Sequence, residues 1–278
     1  MRYVKYTLLT LIAAWLLLFA LTTAFRVQDK FVFNPAMPVG AFLDKYGEPL
    51  KQYTQKTAAG NEIALWVTPG NPQKSIIILS HGRSAHDFTI LPLIKILRQD
   101  DNIVIIYSYS GYPPSTGRPS EQNTYGDLAA AVNFAKTNFN AGPENIILAG
   151  HSLGAAVAID AASKGAYKAV IAMVPFSSIK DMLIYWSGQR PLLKIFRLLP
   201  IKHRFDSVSK VSKITSPFYL FASEEDEITP YFMAEKLHDN NPNTISFSYL
   251  FGDHNDVAWF APDLTAAIKK INKDGLSK

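Results

Sequence analysis

Hydrophobic and polar residues follow two distinct rhythms along this chain, after a first stretch that follows neither. Residues 7–25, TLLTLIAAWLLLFALTTAF, carry no charge, and Arg2 and Lys5 stand just before them. Their length is close to the ~20 apolar residues that cross a bilayer as a helix. A helix apolar on every face at an extreme terminus fits a soluble core poorly. Beyond a Pro- and Gly-containing stretch, Phe33–Gly47, short apolar runs recur at Ile63–Val67, Ser75–Ser80, Ile103–Tyr107, Asn145–Ala149, Ala169–Val174, Pro217–Ala222 and Thr244–Leu250. Most are rich in β-branched residues and apolar on both faces, which predicts buried parallel strands.

The second rhythm is helical. Amphipathic stretches predict helices at Phe88–Gln99, Glu121–Phe139, Leu153–Lys164, Tyr231–Asn240 and Pro262–Asn272. In the last, Leu264, Ile268 and Ile271 recur at helical spacing and Pro262 suits a first-turn position. Strands alternating with helices predict an α/β fold, a mostly parallel twisted sheet with helices on both faces. Residues 181–206, DMLIYWSGQRPLLKIFRLLPIKHRFD, break this rhythm. They are dense in large apolar residues and carry Arg190, Lys194, Arg197, Lys202 and Arg204. No strand pattern fits them, so they read as an insertion of short helices between two strands.

The expected organisation is a basic cytosolic stub at 1–6, a transmembrane anchor or signal peptide at 7–25, and one catalytic domain at 26–278 with the insertion at 181–206. Trp15 in mid-helix and Arg26 and Lys30 downstream favour the anchor, whereas Thr22, Thr23 and Ala24 loosely resemble a cleavage site. Either way the positive amino end stays cytosolic and the catalytic domain is exported, membrane-anchored or secreted.

Composition narrows the classes further. Of 278 residues, 48% are hydrophobic and 18% charged, which excludes an extended disordered chain. The net charge of +5 arises from 28 Lys+Arg against 23 Asp+Glu without a dense basic run in the body, which argues against a nucleic-acid partner. The absence of cysteine removes disulfides, thiolate metal sites and a cysteine nucleophile.

The sharpest chemical signal is Gly150-His151-Ser152-Leu153-Gly154, between a predicted strand and an Ala-rich predicted helix. G-x-S-x-G in that setting is a nucleophile elbow, a tight turn that strains the serine backbone and exposes its hydroxyl. A serine hydroxyl is a weak nucleophile at neutral pH, so it needs a base, and the base an orienting acid, in the chain order Ser, acid, His. Among the histidines beyond the insertion, His254 lies in a loop after a predicted strand, whereas His238 ends a predicted helix and suits a surface role. His254 is therefore the expected base. The acid lies in the run Glu224-Glu225-Asp226-Glu227 after a predicted strand; Asp226 is preferred, with Glu224 or Glu225 as alternatives. Ser80-His81-Gly82-Arg83 follows another strand, where this architecture takes an oxyanion-hole donor. The donors are assigned to the backbone amides of Arg83 and Leu153, and His81 is read as a structural turn residue.

These residues carry a resemblance. The chain resembles the α/β-hydrolase superfamily over nearly everything after the first segment. It is most similar to single-span membrane-anchored serine hydrolases of the abhydrolase-domain, depalmitoylase-like group and their bacterial relatives. The resemblance rests on His81-Gly82, on Tyr109-Ser110-Gly111-Tyr112 with Ser115, Gly117, Pro119, Ser120 and Glu121, on Gly150–Gly154, on Asp226 through Pro230, and on Gly252-Asp253-His254-Asn255-Asp256. It implies an Asp four residues before a Pro as the triad acid, which selects Asp226. Ser110 stands where that group usually has Arg, Pro113 where it usually has Gly, and Ala155 replaces a frequent third Gly after the elbow.

The expected activity is hydrolysis of a carboxylic ester or thioester through an acyl-enzyme on Ser152, with no metal and no organic cofactor. Insertions at 181–206 in this superfamily often cap the active site, which implies that this one shapes the acyl pocket. Its mix of apolar and basic residues suits a surface facing lipid, favouring an acylated lipid or long-chain substrate. The alternatives are a serine peptidase or amidase of the same fold, and a catalytically silent membrane-tethered binding protein.

Overall fold

The computed structural model describes residues 2–24, 27–35, 50–84, 87–189, 200–241 and 243–274. Eight strands form one sheet, β1 (Lys51–Lys56), β2 (Glu62–Val67), β3 (Ile76–Ser80), β4 (Ile103–Tyr107), β5 (Ile146–His151), β6 (Ala169–Met173), β7 (Phe218–Ser223) and β8 (Thr244–Tyr249), in the order β1-β2-β4-β3-β5-β6-β7-β8. The pairs β1·β2 and β2·β4 are antiparallel. All pairs from β4 through β8 are parallel.

The apolar runs of β3 to β7 are buried along their whole length because helices cover both faces. Side-chain alternation divides the core in two. Ile76 and Ile78 face a cluster with α4 (Glu121–Phe139) and α5 (Leu153–Ala162). Ile77 and Leu79 face a second with α3 (Asp87–Leu97) and α9 (Ala261–Asp274).

All seven expected strands and all five expected helices form, with ends shifted by a few residues at most. The strand β1, KQYTQK, has no counterpart in the sequence reading. It is a sheet edge whose side chains are mostly exposed, so no apolar period marks it, and Tyr53 packs on Phe134 of α4 at 4.9 Å.

Two expectations change. Residues 7–24 of the segment 7–25 fall in a helix, α1 (Arg2–Ala24), and a short α2 spans Val27–Val32. Among the described residues, however, no helix is long and apolar enough to cross a membrane, so the expected transmembrane anchor is not supported. The exported orientation expected for the catalytic domain rested on that span. Of the insertion, residues 181–189 lie in one helix, α6 (Ile179–Gln189), and residues 200–206 form none; a short α7 (Val208–Val211) follows. Arg190, Lys194 and Arg197 lie outside the described residues, and Lys202 pairs with Asp29 of α2 at 2.8 Å.

Candidate active site

Parallel strands deliver the loops at their carboxyl ends to one edge of the sheet, where ligands bind in such folds. Residues 81–84 follow β3, Ser152 follows β5, Asp226 follows β7 and His254 follows β8.

At the elbow Ser152 adopts φ 54° and ψ −114°, a region that costs a non-glycine residue about 1–3 kcal/mol. The turn tolerates no side chain on either flank. A Cβ on Gly150 would overlap the carbonyl of Gly154, and one on Gly154 would overlap the carbonyl of Ser80. The backbone N–H of Ser152 donates to Met173 of β6 at 2.9 Å, tying the strained residue to the sheet.

Nε2 of His254 lies 2.9 Å from Oγ of Ser152, and Nδ1 lies 2.7 Å from Oδ2 of Asp226. A carboxylate only accepts, so Nδ1 carries its hydrogen and Nε2 turns its lone pair to the serine hydroxyl. Asp226 is buried. Burial alone would raise its pKa, but the hydrogen bond and charge of His254 and the N–H and hydroxyl of Thr229 outweigh it and hold the carboxyl below its ordinary value. Its Oδ1 accepts from the amides of Ile228 and Thr229, both at 2.8 Å. The neighbouring Glu224 and Glu225 are exposed, as is His238 on α8 (Tyr231–Asp239).

Arg83 and Leu153 border the same cavity as Ser152. Leu153 is the first residue of α5, where an N–H has no acceptor within the helix. The Gly82–Arg83 peptide is oriented by a residue whose side chain the sequence reading left idle. Nδ1 of His81 donates to the Gly82 carbonyl at 2.7 Å, and across a trans peptide this points the Arg83 N–H the opposite way. Burial pushes the His81 imidazole down to about 4, with the Gly82 hydrogen bond opposing, so the ring is neutral at pH 7.

Other supports were also absent from the sequence reading. His151 donates from Nε2 to the backbone carbonyl of His254 at 2.9 Å, and Thr229 places Oγ1 2.8 Å from Oδ2 of Asp226. The first could not be found by spacing, because it joins loops that follow different strands; the second is local to the loop after β7. Ser110, in place of the usual arginine, satisfies buried Asp127 of α4, with its amide donating at 2.7 Å and its hydroxyl at 2.6 Å. Burial raises the Asp127 carboxyl to about 6 against these two hydrogen bonds.

Ser152 and His254 open into a cavity of 390 Å³ whose far wall is apolar, built by Phe176, Ile179, Met182 and Trp186 with Phe31 and Val32 of α2. A second cavity of 600 Å³ shares Phe31, Arg83, Trp186 and Ile228 with it. Among the described residues no group of three or more His, Asp or Glu is placed to hold a metal ion.

Known proteins resemble the chain in both sequence and fold. A family model described as alpha/beta hydrolase family matches residues 77–267. Alpha/beta hydrolase domain-containing protein 17C of Xenopus tropicalis is 30% identical over 226 residues, 76% of this chain and 69% of that protein. The human protein of the same description is 29% identical over 217 residues, 77% of this chain and 63% of that protein. The chain thus spans about two thirds of the length of these relatives. Among solved structures, an esterase of Pyrococcus furiosus superposes with a TM-score of 0.72 at 17% identity, covering 87% of this chain and 98% of that one. The esterase Est1E of Butyrivibrio proteoclasticus, solved with ferulic acid bound, gives 0.63 at 16% identity over 81% of this chain and 100% of that one. At these identities the structures speak to fold alone, and the sequence match over 77–267 completes the assignment: the chain belongs to the alpha/beta hydrolase family.

Proposed function

We propose that this hydrolase is a serine esterase or thioesterase that works through an acyl-enzyme. Ser152 attacks the acyl carbonyl carbon while Nε2 of His254 takes its proton, and the Asp226 carboxylate holds and stabilises the imidazolium. The oxyanion is received by the amides of Arg83 and Leu153. The imidazolium then protonates the leaving alcohol or thiol, and water repeats the sequence on the acyl-enzyme to release the acid. The observation that carries the reading is the unbroken contact chain from Ser152 Oγ through His254 to Asp226, at the mouth of a cavity with an apolar wall. That wall supports an aliphatic acyl group.

Attachment to lipid belongs to the same proposal. The exposed residues Leu8, Leu9, Leu11, Ile12, Leu16, Leu17 and Leu21 of α1 lie on all sides of the helix. A helix apolar all round has no polar face to offer water. Its expected partner is the acyl region of a bilayer, to which it would hold the enzyme.

The test is labelling by a fluorophosphonate probe with hydrolysis of p-nitrophenyl esters of rising chain length and of acyl thioesters. Wild type should be labelled and active, and Ser152→Ala should be neither. An unlabelled, inactive wild type would favour a binding protein. For attachment, wild type should float with phosphatidylcholine vesicles, and Leu9→Glu with Leu16→Glu should not.

A further inference from the structure

Residues 30–34 precede the 77–267 that match the family model, yet they are hydrogen-bonded to the turn that carries the Arg83 amide. Asn34 donates from Nδ2 to Oγ of Ser84 at 2.9 Å. Its backbone N–H is shared between the hydroxyl oxygen of Tyr112, at 3.0 Å, and the carbonyl of Arg83, at 3.3 Å. That Tyr112 hydroxyl donates in turn to the Arg83 carbonyl at 2.8 Å. The Arg83 guanidinium donates to the carbonyl of Lys30 at 3.0 Å.

The two peptide planes that meet at Arg83 are therefore both held. His81 holds the plane before it through the Gly82 carbonyl, and Asn34 with Tyr112 holds the plane after it through the Arg83 carbonyl. What remains to orient the Arg83 N–H is small. The bracing segment is itself anchored: Asp29 accepts from Nε2 of His203 at 2.6 Å and from Nζ of Lys202 at 2.8 Å, and the Phe33 ring packs edge-on to His203 at 5.1 Å. Its Phe31 and Val32 line the cavity in front of Ser152.

We propose that Asn34 is a positioning residue for the oxyanion turn, and that the segment 30–34, joined through α2 to α1, is part of the active site. The inference rests on the reading of the Arg83 amide as an oxyanion donor. A misplaced donor costs transition-state stabilisation and leaves ground-state binding largely intact, so the loss falls on kcat and not on KM.

The experiment uses the full chain and p-nitrophenyl butyrate, with rates expressed per fluorophosphonate-labelled site so that misfolded protein does not count. Asn34→Ala should lower kcat about 5–20-fold with KM changed by less than about twofold. That is smaller than the ~10²–10³ expected for loss of a whole oxyanion donor. Ser84→Ala deletes the same hydrogen bond and should match it, and the double variant should be no slower than Asn34→Ala alone. Tyr112→Phe keeps the ring and removes the relay, and should lower kcat in the same way.

A kcat per labelled site within twofold of wild type in Asn34→Ala would overturn the inference. So would full additivity of Asn34→Ala with Ser84→Ala. Should Asn34→Ala fail to fold, an unchanged kcat in Tyr112→Phe overturns it equally. An inactive wild type, or an active Ser152→Ala, would overturn the esterase reading and this inference with it; an active wild type with an unaffected Asn34→Ala overturns the inference alone.

Discussion

Nδ1 of His254 lies 2.7 Å from Oδ2 of Asp226, although 28 residues separate them in the chain. The contact exists because β7 and β8 are parallel neighbours, so the loops leaving their carboxyl ends emerge side by side.

Asp226→Asn should reduce kcat about 10⁴-fold, because an amide opposite Nδ1 turns the imidazole to the wrong tautomer. Glu224→Gln and Glu225→Gln, exposed beside it, should stay within about twofold. Steady-state hydrolysis of p-nitrophenyl butyrate separates the three.

Acid should weaken the fold partly through Asp226. Its folded pKa lies below the ordinary carboxyl value of 3.8, so the stability it contributes is present above that value and is lost as pH falls through the lower folded value. Thermal midpoints of wild type and Asp226→Asn, measured from pH 7 down to pH 3, should converge at the acid end. A constant gap would contradict the assignment.

Asp127 should behave in the opposite sense. Its carboxyl is raised from 3.8 to about 6, so the folded state keeps a proton that the unfolded chain has released. The contribution is full below pH ~4 and is lost as pH rises through about 6, a change of about 3 kcal/mol at most. Asp127→Asn does not titrate, so its midpoint relative to wild type should rise between pH 4 and pH 7.

Gly154→Ala should prevent stable folding or cost more than about 3 kcal/mol. The added methyl meets the backbone carbonyls of Ser80 and His81, which cannot rotate away. Gly126→Ala, on α4 with open space at the Cβ position, is the control and should be neutral or slightly stabilising by helix propensity. Chemical denaturation of the purified variants reads both.

Much of the architecture was legible because its physical causes are local. The runs of β3 to β7 are apolar on both faces since both faces are covered, and α4 was placed at Glu121–Phe139 by its pattern alone. Ser152 was legible because the elbow is a short-range steric requirement, written as two glycines around a strained serine. The edge strand β1 was not, because an exposed edge has no apolar face to show. The membrane reading of 7–25 rests on the length of an uncharged stretch, and among the described residues no helix is long and apolar enough to cross a membrane.

Local pattern thus determined the elements, the elbow and the loops in which the acid and base had to lie. The family resemblance singled out Asp226 within the acidic run, whereas tertiary structure alone decided that His81 turns the peptide carrying the Arg83 amide and that Asn34 braces the same turn from outside the matched domain. The reason is physical: hydrogen bonds between loops depend on which strands are neighbours in the sheet and on burial that only the assembled core creates. No spacing along the chain encodes a contact such as that between Asn34 and Ser84, 50 residues apart.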